Sequence, residues 1–172
     1  MKKLLIVIDY QNDFVNGTLG FQGAELLKKP ILDRIKLAKS RGEDILFTKD
    51  IHFDNYLETE EGKNLPISHC IKGSKGAELF EELEEISKDY KVFEKNTFPS
   101  LDLGKYLENK DYEEVTLVGL VSNICVLSNA VIVKAALPNA HIIVEKALTD
   151  SFDKHAQEVG FEAMKNIQIE IK

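Results

Sequence analysis

Six short apolar runs, each separated from the next by a longer segment with apolar residues at helical spacing, constrain this chain more than any other feature. The runs are Leu4–Asp9, Asp44–Thr48, Tyr90–Glu94, Glu114–Gly119, His141–Val144 and Ile167–Ile171. Segments of four to eight residues bounded by turn residues read as strands, and strands alternating with helical patterns read as βαβ units in a parallel sheet. The intervening helices are expected at Leu26–Ser40, Ala77–Lys88, Leu103–Asn109, Asn123–Ala136 and Lys154–Met164. In the first, Ile31, Ile35 and Ala38 share one face, and Gly42 stands where a left-handed stop belongs. The expected architecture is α/β: one doubly wound domain spanning residues 1–172, with a mostly parallel sheet of about six strands flanked by helices.

At 172 residues the chain suits one domain with a real core. Its 44% hydrophobic and 30% charged content belongs to a globular protein. A net charge of -7 without a Lys/Arg block argues against nucleic acid as a partner. The opening apolar run is too short for a signal peptide and meets Asp9. Nothing approaches the length of a membrane span, so a cytoplasmic protein is expected. Two cysteines far apart, Cys70 and Cys125, give no disulfide framework.

Ligands of open α/β sheets bind beyond the carboxyl ends of the strands, so the residues there are the candidates. Asp9 closes the first strand, Lys95 follows the third, and Cys125 follows the fourth after the tight stretch Gly119–Asn123. Singly, each has a plain reading: a turn acid, a solvated lysine, a buried structural thiol. Together they offer a nucleophile, a base and a cation in one crevice. Cys125 near a helix N-terminus would find backbone N–H groups and a dipole that favour the thiolate. A second cluster is Asp50 and His52 after the second strand, with His69 further on. A two-residue spacing in extended chain points Asp50 and His52 the same way, as mixed N and O metal ligands require. Exposed loop histidines are the alternative. His141 and His155 pair with nothing by spacing, and packing is the expected role of Cys70.

Several motifs in order resemble the isochorismatase-like cysteine hydrolases, and within them the nicotinamidases. They are IVIDYQNDFVNGTLG, TKDIH, LPISHCIKGSKGAEL, FEKNTF and VGLVSNICVLSNA, which together cover nearly the whole chain. The resemblance implies a triad of Asp9, Lys95 and Cys125, and a metal site of Asp50, His52 and His69, with Glu61 the best match to a further ligand on the intervening loop. It also implies a non-proline cis peptide joining Val121 to Ser122. The oxyanion would lie on the backbone N–H groups of Ile124 and Cys125. Phe14, Leu19 and Phe98 would wall the substrate pocket, or else be plain core. One divalent metal, zinc or alternatively iron or manganese, would be the only cofactor. The expected reaction is hydrolysis of nicotinamide to nicotinate and ammonia through a Cys125 thioester, with pyrazinamide also accepted, by a homo-oligomer. Ser122 stands where relatives often carry Thr, and Asn96-Thr97-Phe98-Pro99 replaces a Ser-Ala-Phe segment, which bears on the substrate. The rival readings are an amidase of the same fold acting on another small amide or N-carbamoyl compound, a catalytically idle binding protein, and a flavodoxin-like carrier. The last would need a phosphate-binding loop where Asp9–Asp13 is acidic.

Overall fold

The computed structural model describes all 172 residues. The first strand, β1 (Lys3–Ile8), is apolar without interruption from Leu4 on because it is covered on both faces. Leu5 and Val7 enter one core cluster and Leu4, Ile6 and Ile8 the other, as the alternation of side chains along a strand requires. Beside it run β2 (Asp44–Asp50), β3 (Lys91–Lys95), β4 (Glu114–Leu120), β5 (His141–Asp150) and the short β6 (Glu170–Ile171). All six pair in parallel, in the order β3-β2-β1-β4-β5-β6. The order reverses between β1 and β4, and that switch point opens the crevice where such sheets bind ligands.

On one face lie the short helix α1 (Asn12–Val15) and the long α2 (Lys28–Arg41), with Ile31, Ile35 and Ala38 buried. Gly42 ends α2 at φ 67, and its N–H donates to the carbonyls of Ala38 and Lys39, the stop expected of it. The opposite core holds side chains of α5 (Leu101–Leu107), α6 (Leu127–Ala136) and α7 (Lys154–Asn166). Two further short helices, α3 (Glu60–Asn64) and α4 (Glu82–Ser87), lie in the β2–β3 connection.

Several boundaries differ from expectation, each for a tertiary reason. The helix expected over Ala77–Lys88 is reduced to α4, because residues 78–80 pair with the segment after β1: Asn12 N–H donates to Glu78 O (3.0 Å) and Phe80 N–H to Tyr10 O (2.8 Å). Strand β5 runs six residues past Val144 through the polar pair Glu145-Lys146, with a register shift against β4 between Leu117 and Gly119. In β6, Gln168 at φ 64 delays pairing to Glu170. The helix expected from Asn123 begins as a wide turn over Ser122–Val126, closed by a Val126 N–H to Val121 O bond of 3.2 Å. The cis peptide joins Leu120 to Val121, one bond earlier than the expected Val121–Ser122. Ser122 already belongs to that wide turn, so the chain changes direction where β4 ends.

Candidate active site

Four neighbouring strands deliver the chemistry. Lys95 ends β3 and Asp50 ends β2, the two being register partners; Asp9 follows β1 and Cys125 lies in the turn after β4. Asp9 takes φ 43, a left-handed conformation that Asp tolerates better than most residues. Gly119, at φ 112, lets β4 approach β1 so closely that a Cβ there would lie 2.0 Å from the Ile8 carbonyl oxygen.

The structure brings the three expected catalytic residues together. Lys95 Nζ lies 2.6 Å from Asp9 Oδ2 and 3.8 Å from Cys125 Sγ, and it also donates to the Thr97 carbonyl at 2.9 Å. The Thr48 hydroxyl donates to Asp9 Oδ1 at 2.6 Å. All three groups are buried, which governs their protonation. Burial pushes the Asp9 carboxyl above its usual range against the opposing pull of Lys95. Burial would lower Lys95, but the Asp9, Cys125 and Asp50 charges more than reverse this and hold it as an ammonium. Burial also pushes the Cys125 thiol well up, and Lys95 offsets this only in part. The buried setting thus opposes the thiolate that the helix terminus favours, and the Lys95 ammonium is the contact that works for it.

The second cluster is equally close. His52 Nε2 lies 3.0 Å from Asp50 Oδ2 and 3.6 Å from Glu61 Oε1; His69 Nε2 lies 3.4 Å and 3.6 Å from the same two atoms. Two ligands about 2.0–2.1 Å from a tetrahedral ion stand about 3.3–3.4 Å apart, so these spacings fit a small divalent cation. Asp50 Oδ1 and Glu61 Oε2 are buried without a hydrogen-bond partner, further sign that the donor set expects positive charge. His69 Nδ1 donates to the Ile67 carbonyl at 2.8 Å, which orients the ring with Nε2 facing the cluster. The Tyr56 ring backs both imidazoles at 4.7 and 5.0 Å. Burial opposes the charge on Asp50, but hydrogen bonds from His52 and His69 hold it ionised below the usual carboxylate range. Glu61 is raised by burial and by Asp50. Cys70 takes no part in the cluster and is buried in the core.

Both clusters open on one cavity of about 360 Å³. Cys125, Asp50, Glu61 and His69 line it beside Phe14, Leu19 and Phe98, as expected. Sequence reasoning missed Phe21, Leu65, Val121 and Phe152, which come from four separate loops and complete the apolar wall. It also missed two amides that hold the site. Gln11 Nε2 donates to the carbonyls of Asp50 (2.8 Å) and Ala77 (2.9 Å), while its Oε1 accepts from Asp50 N–H (2.7 Å). Asn129 accepts from Ser100 N–H and donates to the carbonyls of Phe98 and Cys125, joining the lysine loop to the nucleophile turn. Of the expected oxyanion donors, Ile124 N–H already donates to Val121 O at 3.0 Å and would have to share or leave that bond.

Known proteins resemble this chain in sequence and in fold. The model of the family "Isochorismatase domain" matches residues 3–171. An isochorismatase family protein, PncA, of Bacillus subtilis is 30% identical over 167 residues, covering 90% of this chain and 89% of the relative. A nicotinamidase of Saccharomyces cerevisiae is 27% identical over 173 residues, covering 75% and 80%. The crystal structure of a pyrazinamidase/nicotinamidase from Streptococcus mutans superposes with a TM-score of 0.87 at 26% identity, covering 99% of this chain and all of the other. By fold, site and sequence together, the chain belongs to the isochorismatase domain family, with relatives of the nicotinamidase type.

Proposed function

We propose that this chain is an amidohydrolase that converts nicotinamide, and with it pyrazinamide, to the acid and ammonia, with Cys125 as nucleophile. The observation that carries the reading is that the thiol and the four-donor cluster face the same small aromatic cavity. At about 360 Å³ it lies at the lower end of ligand pockets, where a single ring with one short substituent belongs. Its charged lining residues, Asp50 and Glu61, are acids. Nine of its thirteen lining residues are apolar, which suits a flat ring bearing a neutral carboxamide. Two of the relatives described above are named for nicotinamide or pyrazinamide hydrolysis.

In this reading Asp9 accepts the Cys125 proton, and Lys95 stabilises the thiolate as it forms. The sulfur attacks the amide carbon. Cys125 N–H receives the oxyanion, a contact of a kind worth about 3–4 kcal/mol. Asp9 returns its proton to the departing nitrogen, which leaves as ammonia, and the acyl group remains on sulfur as a thioester. Asp9 then takes a proton from water as it attacks the thioester; the C–S bond breaks, the proton returns to Cys125 sulfur, and the acid leaves.

Asp50, His52, His69 and Glu61 would hold one divalent cation, and two imidazoles with two carboxylates suit zinc, with iron or manganese as alternatives. When bound, such a cation supplies a Lewis-acid site for a ring nitrogen and so fixes where the carboxamide lies. The same reading makes the chain a cytoplasmic homo-oligomer that needs no organic cofactor and no nucleic acid. No helix in it is long and apolar enough to cross a membrane.

The test is ammonia release from nicotinamide, pyrazinamide and an N-carbamoyl amino acid, before and after chelation and metal return. Metal-dependent release from the two ring amides is expected. Release from the carbamoyl compound alone would replace this reading with its rival.

A further inference from the structure

Asp13 has no part in the chemistry above, yet its carboxylate is held from several sides. Oδ2 accepts from Cys70 N–H at 2.7 Å, and Oδ1 accepts from Thr18 N–H at 3.3 Å. The Asp13 carbonyl accepts from Leu19 N–H at 2.9 Å. Backbone closes on the side chain from two sides: a Cβ at Gly17 would lie 2.3 Å from Oδ1, and one at Gly76 would lie 2.1 Å from Oδ2. The carboxylate has one place to be.

What it holds is the backbone of the two histidines. Cys70 directly follows His69, and the Cys70 carbonyl accepts from His52 N–H at 2.9 Å. Lys72 N–H closes the same bridge onto the His52 carbonyl at 2.8 Å. Cys70 has φ 47, a conformation uncommon outside glycine, so its amide needs a partner to keep that direction. Phe14, the next residue after Asp13, packs its ring on His69 at 5.6 Å. A turn-capping acid would account for the Thr18 bond alone. The shorter bond crosses 57 residues to the histidine loop, and charge-assisted bonds of that length are the strong ones.

We propose that Asp13 is a positioning residue that, through the single residue Cys70, sets both imidazoles of the four-donor cluster and joins them to the cavity wall at Leu19. This rests on reading that cluster as a cation site. Substituting partners that orient metal ligands typically weakens metal binding about 10–100-fold, and that is the loss expected here for Asp13→Ala. Asp13→Asn keeps one acceptor for Cys70 and should lose less.

The experiment measures zinc affinity of the purified full chain by competition with a chromophoric chelator, with circular dichroism and urea unfolding in parallel. It compares the native sequence, D13A, D13N and G76A. Gly76→Ala leaves every polar group in place and displaces the carboxylate by volume, so it decides the matter should D13A fail to fold. Weaker zinc binding by folded D13A or G76A, with D13N between them and native, is the expected result. A native chain that binds no zinc would sink the cluster reading itself. Native binding with equal affinity in folded D13A and G76A, whatever their stability, would show that Asp13 merely braces the fold and overturn the proposal.

Discussion

The Lys95 ammonium lies 2.6 Å from the Asp9 carboxylate, with 3% and 0% of the two side chains exposed. The same nitrogen is 3.8 Å from Cys125 Sγ and 3.8 Å from Asp50 Oδ1. One cation therefore stands between the nucleophile and the donor cluster, and its removal should be felt by both.

Lys95→Met would leave Asp9 as an uncompensated buried charge, and breaking one half of such a pair typically costs about 3–5 kcal/mol. Turnover should vanish as well. Asp9→Leu combined with Lys95→Met should be more stable than Lys95→Met alone, because no lone charge is left behind. Urea unfolding of the two variants beside the native chain measures this. A single variant as stable as the native chain would show that the pair contributes nothing to the fold.

Cys125 should react slowly with iodoacetamide at neutral pH. Its thiol is raised above the ordinary value of about 8.5, so the thiolate fraction, and with it the alkylation rate, grows only as pH climbs past that value. Mass spectrometry of the Cys125 peptide against pH gives the profile. A rate already at its plateau by pH 7 would mean a resting thiolate–ammonium pair instead.

His52→Ala removes one imidazole from a four-donor set and should lower bound metal by at least about tenfold, since even indirect partners of a metal site are typically worth that much. Glu61→Gln keeps the shape and one oxygen but removes the charge. Metal analysis after dialysis separates the two cases. A Glu61→Gln chain that retains full metal would leave a three-ligand site of Asp50, His52 and His69.

Asn129 is fully buried, with both ends of its amide bonded. Asn129→Ala strands the Ser100 N–H and the carbonyls of Phe98 and Cys125, and unsatisfied buried groups cost about 1–3 kcal/mol each. Stability should fall and KM should rise, because Phe98 loses its tie to the nucleophile helix. An unchanged KM in a destabilised protein would confine Asn129 to the fold.

The alternation of apolar runs made the sheet legible, and the rule that sites lie at strand ends picked out Asp9, Lys95 and Cys125. Gln11 and Asn129 were beyond that reading. Gln11 meets partners 39 and 66 residues away, and nothing near an amide in sequence announces a distant backbone clamp. Helices α1 and α3, of four and five residues, are too short to show a period. Segment 78–80 carries a helical pattern but pairs with residues 10–12, a case of tertiary contact overriding local preference. The remaining cavity walls sit on four loops that meet only in space.

Because β3, β2 and β1 are hydrogen-bonded neighbours, the spacing of Lys95, Asp50 and Asp9 at their ends is set by strand spacing of about 4.8 Å. Side chains alternate along a strand, so deleting one residue inside β2 would turn Asp50 to the other face and bring Ile51 into its place. Connections at the opposite end of the sheet, such as the one between α6 and β5, can lengthen or shorten over time without disturbing this frame. The parity of the residue count from Asp44 to Asp50 cannot, which makes it a stricter inheritance than the identity of most residues around it.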